Sequence, residues 1–148
     1  MSAPTDIISQ LQRDEGLRLS VYTDTVGKRT IGYGHNLDAN PLPFDVSQGI
    51  TAEQALQILE NDVARIYGCL CIKLPWVSSL GDVRCAVMTN MAFNLGVPGL
   101  LNFHHDLADT QAGNYLQASE DMKESAWYNQ VGARAQRLCQ MMATGVWV

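Results

Sequence analysis

The stretch that decides the fold is residues 13–35, RDEGLRLSVYTDTVGKRTIGYGH. A helix that ends at Glu15 is predicted, because a glycine follows it and suits a helix C-terminus. Apolar and polar residues then alternate over Leu17–Tyr22, which is typical of a half-buried strand. A turn at Thr25–Lys28 and a second short strand at Thr30–Tyr33 complete the pattern. The stretch therefore predicts a helix followed by a small hairpin.

Three side chains of this stretch can carry chemistry: Glu15, Asp24 and Thr30. Each has an ordinary explanation by itself, as a solvated glutamate, a turn-capping aspartate and a threonine with β-propensity. Together they meet the needs of glycoside hydrolysis. One carboxylic acid protonates the leaving oxygen, and a second carboxylate assists water or stabilises positive charge on the sugar. If the hairpin folds the three toward one cleft, the stretch indicates a glycosidase.

A long helix is predicted after the hairpin, over residues 51–73. Thr51 and Gln54 form a capping box at its start, apolar residues recur at helical spacing, and Pro75 ends it. Such a helix spans roughly 30 Å at about 1.5 Å per residue, which is long enough to bridge two lobes. The next helix, at about 79–95, is apolar nearly all round and should lie in the middle of a bundle.

The predicted fold class is α+β and mainly helical, in a single domain over residues 1–148. We expect a small α+β lobe at residues 14–50 and a connecting helix at 51–73. An all-helical lobe at 74–148 should include the N-terminal helix at 4–14. The groove between two such lobes is where a ligand site is expected.

Composition excludes several classes of protein. The chain has 148 residues, of which 47% are hydrophobic and 17% charged, as in an ordinary globular protein. Its formal net charge of -5 argues against generic nucleic-acid binding, which depends on lysine and arginine against phosphates. No apolar run approaches the ~18 residues that span a bilayer, and no signal-peptide pattern is present. The four cysteines show neither zinc spacing nor a CxxC pair, which favours reduced thiols over the alternative of a structural disulfide.

The segment Glu15–His35 resembles the catalytic signature of phage-type lysozymes, the endolysins of glycoside hydrolase family 24, and in particular their T-even coliphage branch. The pattern is a glutamate with Gly-Leu-Arg, then Tyr-x-Asp-x-x-Gly, then Thr-Ile-Gly-x-Gly-His, and every element is present with its spacing intact. The resemblance covers nearly the whole chain, with further matching segments at 50–63, 82–103, 127–130, 134–137 and 144–147. It implies a lysozyme-like fold. It also implies a muramidase that hydrolyses the β-1,4 N-acetylmuramic acid–N-acetylglucosamine bond of peptidoglycan and lyses the host cell.

The resemblance also implies roles for the three side chains. Glu15 falls on the family's general acid, Asp24 on its second catalytic carboxylate, and Thr30 on the threonine that helps to place the attacking water. The T-even branch inverts the anomeric carbon. The lambda-type branch acts as lytic transglycosylases without a matching aspartate, so Asp24 and Thr30 favour hydrolysis. A non-catalytic wall-binding descendant is the rival from another class, and the intact three residues count against it.

Other matching positions imply supporting roles. His35 resembles a histidine that pairs with an aspartate on the long helix, here Asp62; an exposed loop histidine is the alternative. Arg134 resembles an arginine that faces the catalytic glutamate. Asn36 and Phe93 fall on substrate-binding positions, although a core role explains Phe93 equally well.

The implied partner is the peptidoglycan glycan strand, with no nucleic acid, no membrane span, no metal and no organic cofactor. We expect a monomer that is made in the host cytoplasm and acts on the periplasmic cell wall after release through a holin-type pore. Three features depart from the family. The loop between His35 and Thr51 is shorter than in the T-even enzymes, the charge balance is acidic, and Asp106 and Asp121 stand where relatives carry neutral contacts.

Overall fold

A computed structural model describes residues 3–4 and 6–148 of the chain. The predicted α+β, mainly helical class is confirmed. In chain order the elements are α1 (Ile7–Glu15), β1 (Arg18–Thr23), β2 (Arg29–Gly32), β3 (His35–Asn36), α2 (Ala52–Lys73), a 3-10 turn (Pro75–Ser79), α3 (Asp82–Leu95), α4 (Val97–Leu100), α5 (His104–Ala112), α6 (Tyr115–Lys123), α7 (Ala126–Val131) and α8 (Ala133–Thr144).

The chain forms two compact units: Thr5–Arg65, and Met1–Pro4 together with Ile66–Val148; the boundary after Arg65 falls inside α2. The first of these units contains α1 together with the sheet, whereas residues 4–14 were predicted to belong to the helical lobe. The expected lobes at 14–50, 51–73 and 74–148 stay a prediction.

The sheet of the first unit is antiparallel in the order β1-β2-β3. Its register pairs Tyr22 with Thr30 across β1 and β2, and Thr30 with Asn36 across β2 and β3. The middle strand β2 is therefore held from both sides. Beneath it lies a small core of buried apolar side chains: Ile31, Leu37, Ile50, Ala55 and Ile58.

The prediction of a half-buried first strand was wrong. Leu17, Leu19 and Val21 are 39–42% exposed, and most of β1 lies at the surface. β1 is an edge strand, and its pairing with β2 is irregular between Arg18 and Tyr22. The alternation of apolar and polar residues along β1 therefore did not produce a buried apolar face. The carbonyl of Leu19 accepts a hydrogen bond from the N–H of Ile50 at 2.9 Å, so part of this edge pairs with the loop before α2.

The long helix was predicted correctly. α2 spans Ala52–Lys73, and its capping box is formed in both directions: the N–H of Thr51 donates to Oε1 of Gln54 at 2.9 Å, and the N–H of Gln54 donates to Oγ1 of Thr51 at 3.1 Å. These bonds satisfy backbone donors that a helix start otherwise leaves open. Among the described residues, no helix is both long and apolar enough to cross a membrane.

One buried ion pair attaches the sheet to α2. Nδ1 of His35 lies 2.6 Å from Oδ2 of Asp62, and Nε2 of His35 lies 2.7 Å from the carbonyl oxygen of Asn40. Nη2 of Arg65 donates to the other carboxylate oxygen of Asp62 at 3.1 Å. His35 and Asp62 are both buried, so the predicted pairing is confirmed and the exposed-histidine alternative is excluded.

The second unit is built around α3, as its sequence predicted. All residues from Cys85 to Ala92 are buried, which places this helix in the middle of the helical unit. Its surroundings include the apolar face of α8, with Leu138, Met141 and Met142. The four cysteines are free thiols in the structure; Cys85 and Cys139 are buried, and Cys69 is exposed.

The His35–Asp62 pair makes stability depend on pH. Burial lowers the pKa of His35, but the hydrogen bond and charge of Asp62 and the carbonyl of Asn40 outweigh it, so the pKa is raised above 6.5. The folded protein therefore binds this proton more tightly than the unfolded chain. The resulting stability is fully present below pH 6.5 and is lost as the pH rises through the folded-state pKa.

We therefore expect Asp62→Asn to lower the free energy of unfolding by about 3 kcal/mol at pH 6, because it leaves a buried histidine without its counter-charge. The loss should be smaller at pH 9, because raising the pH removes the proton whose binding Asp62 stabilises. Urea unfolding at the two pH values measures this. Asp38→Asn is the control, since Asp38 pairs with Arg29 at the surface and its pKa is lowered by the bonds from Arg29. An equal loss for Asp62→Asn at both pH values would contradict the account.

Candidate active site

Glu15 is the last residue of α1, and the chain leaves the helix there through Gly16. Its half-buried side chain lies against the backbone of Gly34, which follows β2. A Cβ atom at position 34 would lie 2.5 Å from Oε2 and 3.0 Å from Cδ of Glu15. Gly34 also has a φ of +70°, in the left-handed region that favours glycine. The glycine of the Gly-x-Gly-His motif therefore provides the space that the carboxylate occupies.

Asp24 begins the turn between β1 and β2 and is fixed by that turn. Its Oδ1 accepts hydrogen bonds from the N–H groups of Val26 at 3.0 Å and Lys28 at 2.8 Å. Its own N–H donates to the carbonyl of Lys28 at 2.9 Å. The ordinary turn-capping explanation of Asp24 thus describes the geometry correctly. Oδ2 takes no part in the turn. The bonds to Oδ1 therefore orient the carboxylate and leave Oδ2 available for other contacts.

Thr30 lies in β2 and is buried. Its hydroxyl donates to the carbonyl oxygen of Lys28 at 3.0 Å. Since that bond uses the hydroxyl proton, Oγ1 can act toward a water only as an acceptor. A water bonded there would have its second hydrogen and its lone pairs available for other contacts.

Sequence reasoning missed Tyr22, a half-buried residue of β1 whose pKa is affected by both Glu15 and Asp24. The pKa of Tyr22 is raised, first by burial, then by the negative charge of Glu15 and, more weakly, by that of Asp24; Arg18 opposes the shift. The guanidinium of Arg18 lies 4.4 Å from the centre of the Tyr22 ring. Their spacing of four along one strand, which puts both on the same face, was the signal that could have found this pair.

The two predicted substrate contacts lie in different units. Asn36 is in the first unit, where its Oδ1 accepts the N–H groups of Asp38 and Ala39, each at 3.0 Å. Its side chain is thus engaged in a turn, and its backbone pairs with Thr30. Phe93 is half-buried near the end of α3 in the second unit. Nε of Arg134, in the same unit, donates to Oδ1 of Asn90 at 2.9 Å.

Metal ligands do not gather anywhere in the described part of the chain: no three His, Cys, Asp or Glu side chains there are arranged to hold an ion. The candidate site therefore consists of two carboxylates, a hydroxyl and a tyrosine within residues 15–30. A protonated carboxyl, a second carboxylate and an acceptor for water are the groups that acid–base cleavage of a glycosidic bond uses.

The sequence model of the family described as phage lysozyme matches residues 12–141, which include the whole site. The chain belongs to the phage lysozyme family. It is 33% identical over 96% of its length to the pre-baseplate central spike protein Gp5 of Enterobacteria phage T4, of which it spans 29%. It is 27% identical to the probable T4-type lysozyme 1 of Dictyostelium discoideum, over 95% of both chains. It is 31% identical to an endolysin of Acyrthosiphon pisum secondary endosymbiont phage 1, over 75% of this chain and 70% of the relative.

These relatives confirm the resemblance seen in the sequence. The motifs of residues 15–35 and the later segments up to residue 137 lie inside the matched range 12–141, whereas the segment 144–147 lies beyond it. The lysozyme-like α+β fold agrees with the family. The motif glycines now have physical roles in this phage lysozyme, because Gly34 meets Glu15 and Gly27 closes the Asp24 turn through its N–H, 3.1 Å from the carbonyl of Asp24.

We expect Gly34→Ala to reduce glycosidase activity at least tenfold, because the new methyl group would displace the Glu15 carboxylate. Backbone strain alone should cost about 1 kcal/mol of stability. Gly113→Ala is the matched control: Gly113 has a φ of +83° and nothing within 4 Å of its added Cβ. It should lose similar stability and keep its activity. Equal activity of the two variants, measured as reducing ends released from peptidoglycan, would contradict the assigned role of Gly34.

Proposed function

We propose that this phage lysozyme hydrolyses the β-1,4 bond between N-acetylmuramic acid and N-acetylglucosamine in bacterial peptidoglycan. Glu15 acts as the general acid, Asp24 as the base or charge stabiliser, and Thr30 positions the water. The observation that carries the proposal is the position of the Glu15 carboxylate against Gly34 of the Gly-x-Gly-His motif, inside the region that the phage lysozyme model matches.

The surroundings support this division of roles. Glu15 is half-buried against the backbone of Gly34 and projects from a helix end, where its carboxyl can give a proton to a glycosidic oxygen. Asp24 is held by two backbone N–H groups through Oδ1 alone, so Oδ2 keeps a fixed orientation toward a water or a developing positive charge. Asp24, whose proposed role requires a fixed orientation, is thus the carboxylate that backbone N–H groups hold.

We propose inversion at the anomeric carbon as the stereochemical outcome. Thr30 offers its oxygen as an acceptor for a water, and Asp24 is a second carboxylate that can take the water's proton. A lytic transglycosylase needs neither group, because a hydroxyl of the substrate's own sugar attacks the anomeric carbon in place of water. Asn36 and Phe93 are proposed as substrate contacts, Asn36 through its backbone because its side chain is engaged in a turn.

Host cell lysis is the biological role we propose, by a monomer made in the host cytoplasm that reaches the periplasmic wall after holin-type release. Its similarity to an endolysin supports this role. The similarity to the central spike protein of phage T4 favours a second setting, in which a lysozyme domain is part of a phage particle. Mass spectrometry of purified particles and of the soluble lysate would distinguish the two settings by where the chain is found.

We expect Glu15→Gln and Asp24→Asn each to lower peptidoglycan hydrolysis at least a hundredfold, because each removes a group that takes part in proton transfer or charge stabilisation. The measurements are loss of turbidity of chloroform-treated Gram-negative cells and release of new reducing ends. Glu53→Gln is the matched control, since Glu53 is an exposed carboxylate in the first turn of α2.

Clearing by Glu15→Gln at the wild-type rate would contradict the catalytic assignment. Tight binding of peptidoglycan fragments by the wild type without new reducing ends would instead support a non-catalytic wall-binding protein.

A further inference from the structure

A cavity in the helical unit lies outside the proposed catalytic residues. It has a volume of about 520 Å³ and is bounded by the start of α5 and the end of α6. Three carboxylates form part of its wall: Asp106 on α5, Asp121 on α6, and Glu124 just after α6.

Asp106 is buried, with 2% of its surface exposed. Its Oδ1 accepts one hydrogen bond, from Oγ1 of Thr110 at 3.1 Å, and the same hydroxyl lies closer to the carbonyl of Asp106, at 2.7 Å. No donor from the described residues reaches Oδ2. A negative charge on this group would therefore be almost uncompensated, which is costly inside a protein.

The groups that face Asp106 add no compensating charge. From α5 comes Asp109 and from α6 comes Asp121, and both act on Asp106 as negative charges. From α8 comes the thiol of Cys139, which is buried next to Asp106 and neutral near pH 7 because burial raises its pKa to about 12. Two positive charges lie near this group of side chains: His105 acts weakly on Asp121, and Lys123 acts on the Cys139 thiol.

Asp121 adds a further carboxylate at this end of α6. Gln117 donates to its Oδ1 at 3.0 Å, whereas no donor in the described chain reaches Oδ2. Burial raises the pKa of Asp121, and the neighbouring Asp109 raises it further. Asp106 and Asp121 therefore each have a buried oxygen to which no described donor bonds.

We propose that α5 and α6 are held together by a proton bound to Asp106, and that their packing loosens as the pH rises and this proton leaves. The device would make the wall of the cavity most rigid in mildly acidic solution. It does not depend on the proposed catalytic function.

The direction of the effect follows from the geometry. Burial, aided by the charges of Asp121 and Asp109 and opposed by Thr110, raises the pKa of Asp106 from 3.8 to about 7. The native state then binds one more proton than the unfolded chain between these values, so stability falls as the pH rises through this range. This is the reverse of the acid loss of stability that paired carboxylates usually cause.

Urea unfolding of the full chain between pH 4.5 and 6.5 tests the proposal. This window lies below the range in which the His35 contribution is lost. The folding equilibrium constant of the wild type should fall by up to about tenfold per pH unit, the limit for one proton. Asp106→Asn, which is neutral at every pH, should remove most of this slope and be the more stable protein at pH 8. Asp45→Asn is the control, because Asp45 is exposed, its pKa is lowered by Ser47, and its variant should keep the wild-type slope.

Amide hydrogen exchange of the wild type provides a second readout that needs no variant. Opening of α5 and α6 should become more frequent relative to α3 between pH 5 and 8, after correction for intrinsic exchange rates. Parallel stability curves for the wild type and Asp106→Asn, or α5 and α6 protection that follows α3 at every pH, would overturn the proposal.

Discussion

A single buried carboxylate, Asp62, holds the small unit together. It bonds to His35 through one oxygen and to Arg65 through the other, so a sheet residue and a helix residue share one counter-charge. Burying this group without both partners would be strongly unfavourable. The position of β3 on α2 is therefore fixed, and β2, which pairs with β3, is fixed with it.

The residues proposed as catalytic are positioned by the backbone of this arrangement. Thr30 is paired on both sides, to Tyr22 and to Asn36, so its hydroxyl cannot shift without the sheet. Asp24 is oriented by its own turn, and Glu15 by the absence of a side chain at Gly34. The side chains of Glu15, Asp24 and Thr30 are each positioned by backbone that lies within residues 15–36. This explains why the family motif is confined to so short a stretch.

Local chemistry made much of this predictable from the sequence. The capping box and periodicity of α2 and the all-apolar α3 depend on neighbours in the chain, and the structure has both. The His35–Asp62 pair came from the resemblance, because nothing local relates residues 27 positions apart. The roles of Glu15, Asp24 and Thr30 came from motif spacing, and they stay predictions until variants are measured.

Three features could not be predicted, since each depends on tertiary surroundings. The exposure of Leu19 follows from an edge position that alternation does not encode. The effect of both carboxylates on the pKa of Tyr22 requires the hairpin to be folded. The burial of Asp106 contradicts the usual exposure of aspartate, and only the packing of α5 against α6 reveals it. Carboxylates thus have three different roles here: Asp62 holds the small unit, Glu15 and Asp24 are proposed for chemistry, and Asp106 is proposed to link stability to pH.

The most direct test of the central claim is digestion of purified peptidoglycan in water enriched in oxygen-18, followed by mass spectrometry of the products. If Glu15 and Asp24 bring about hydrolysis, each new reducing N-acetylmuramic acid should carry one oxygen-18 atom at its anomeric carbon. Products that end in 1,6-anhydro sugars without the label would contradict the account, because the sugar itself would then have replaced the water.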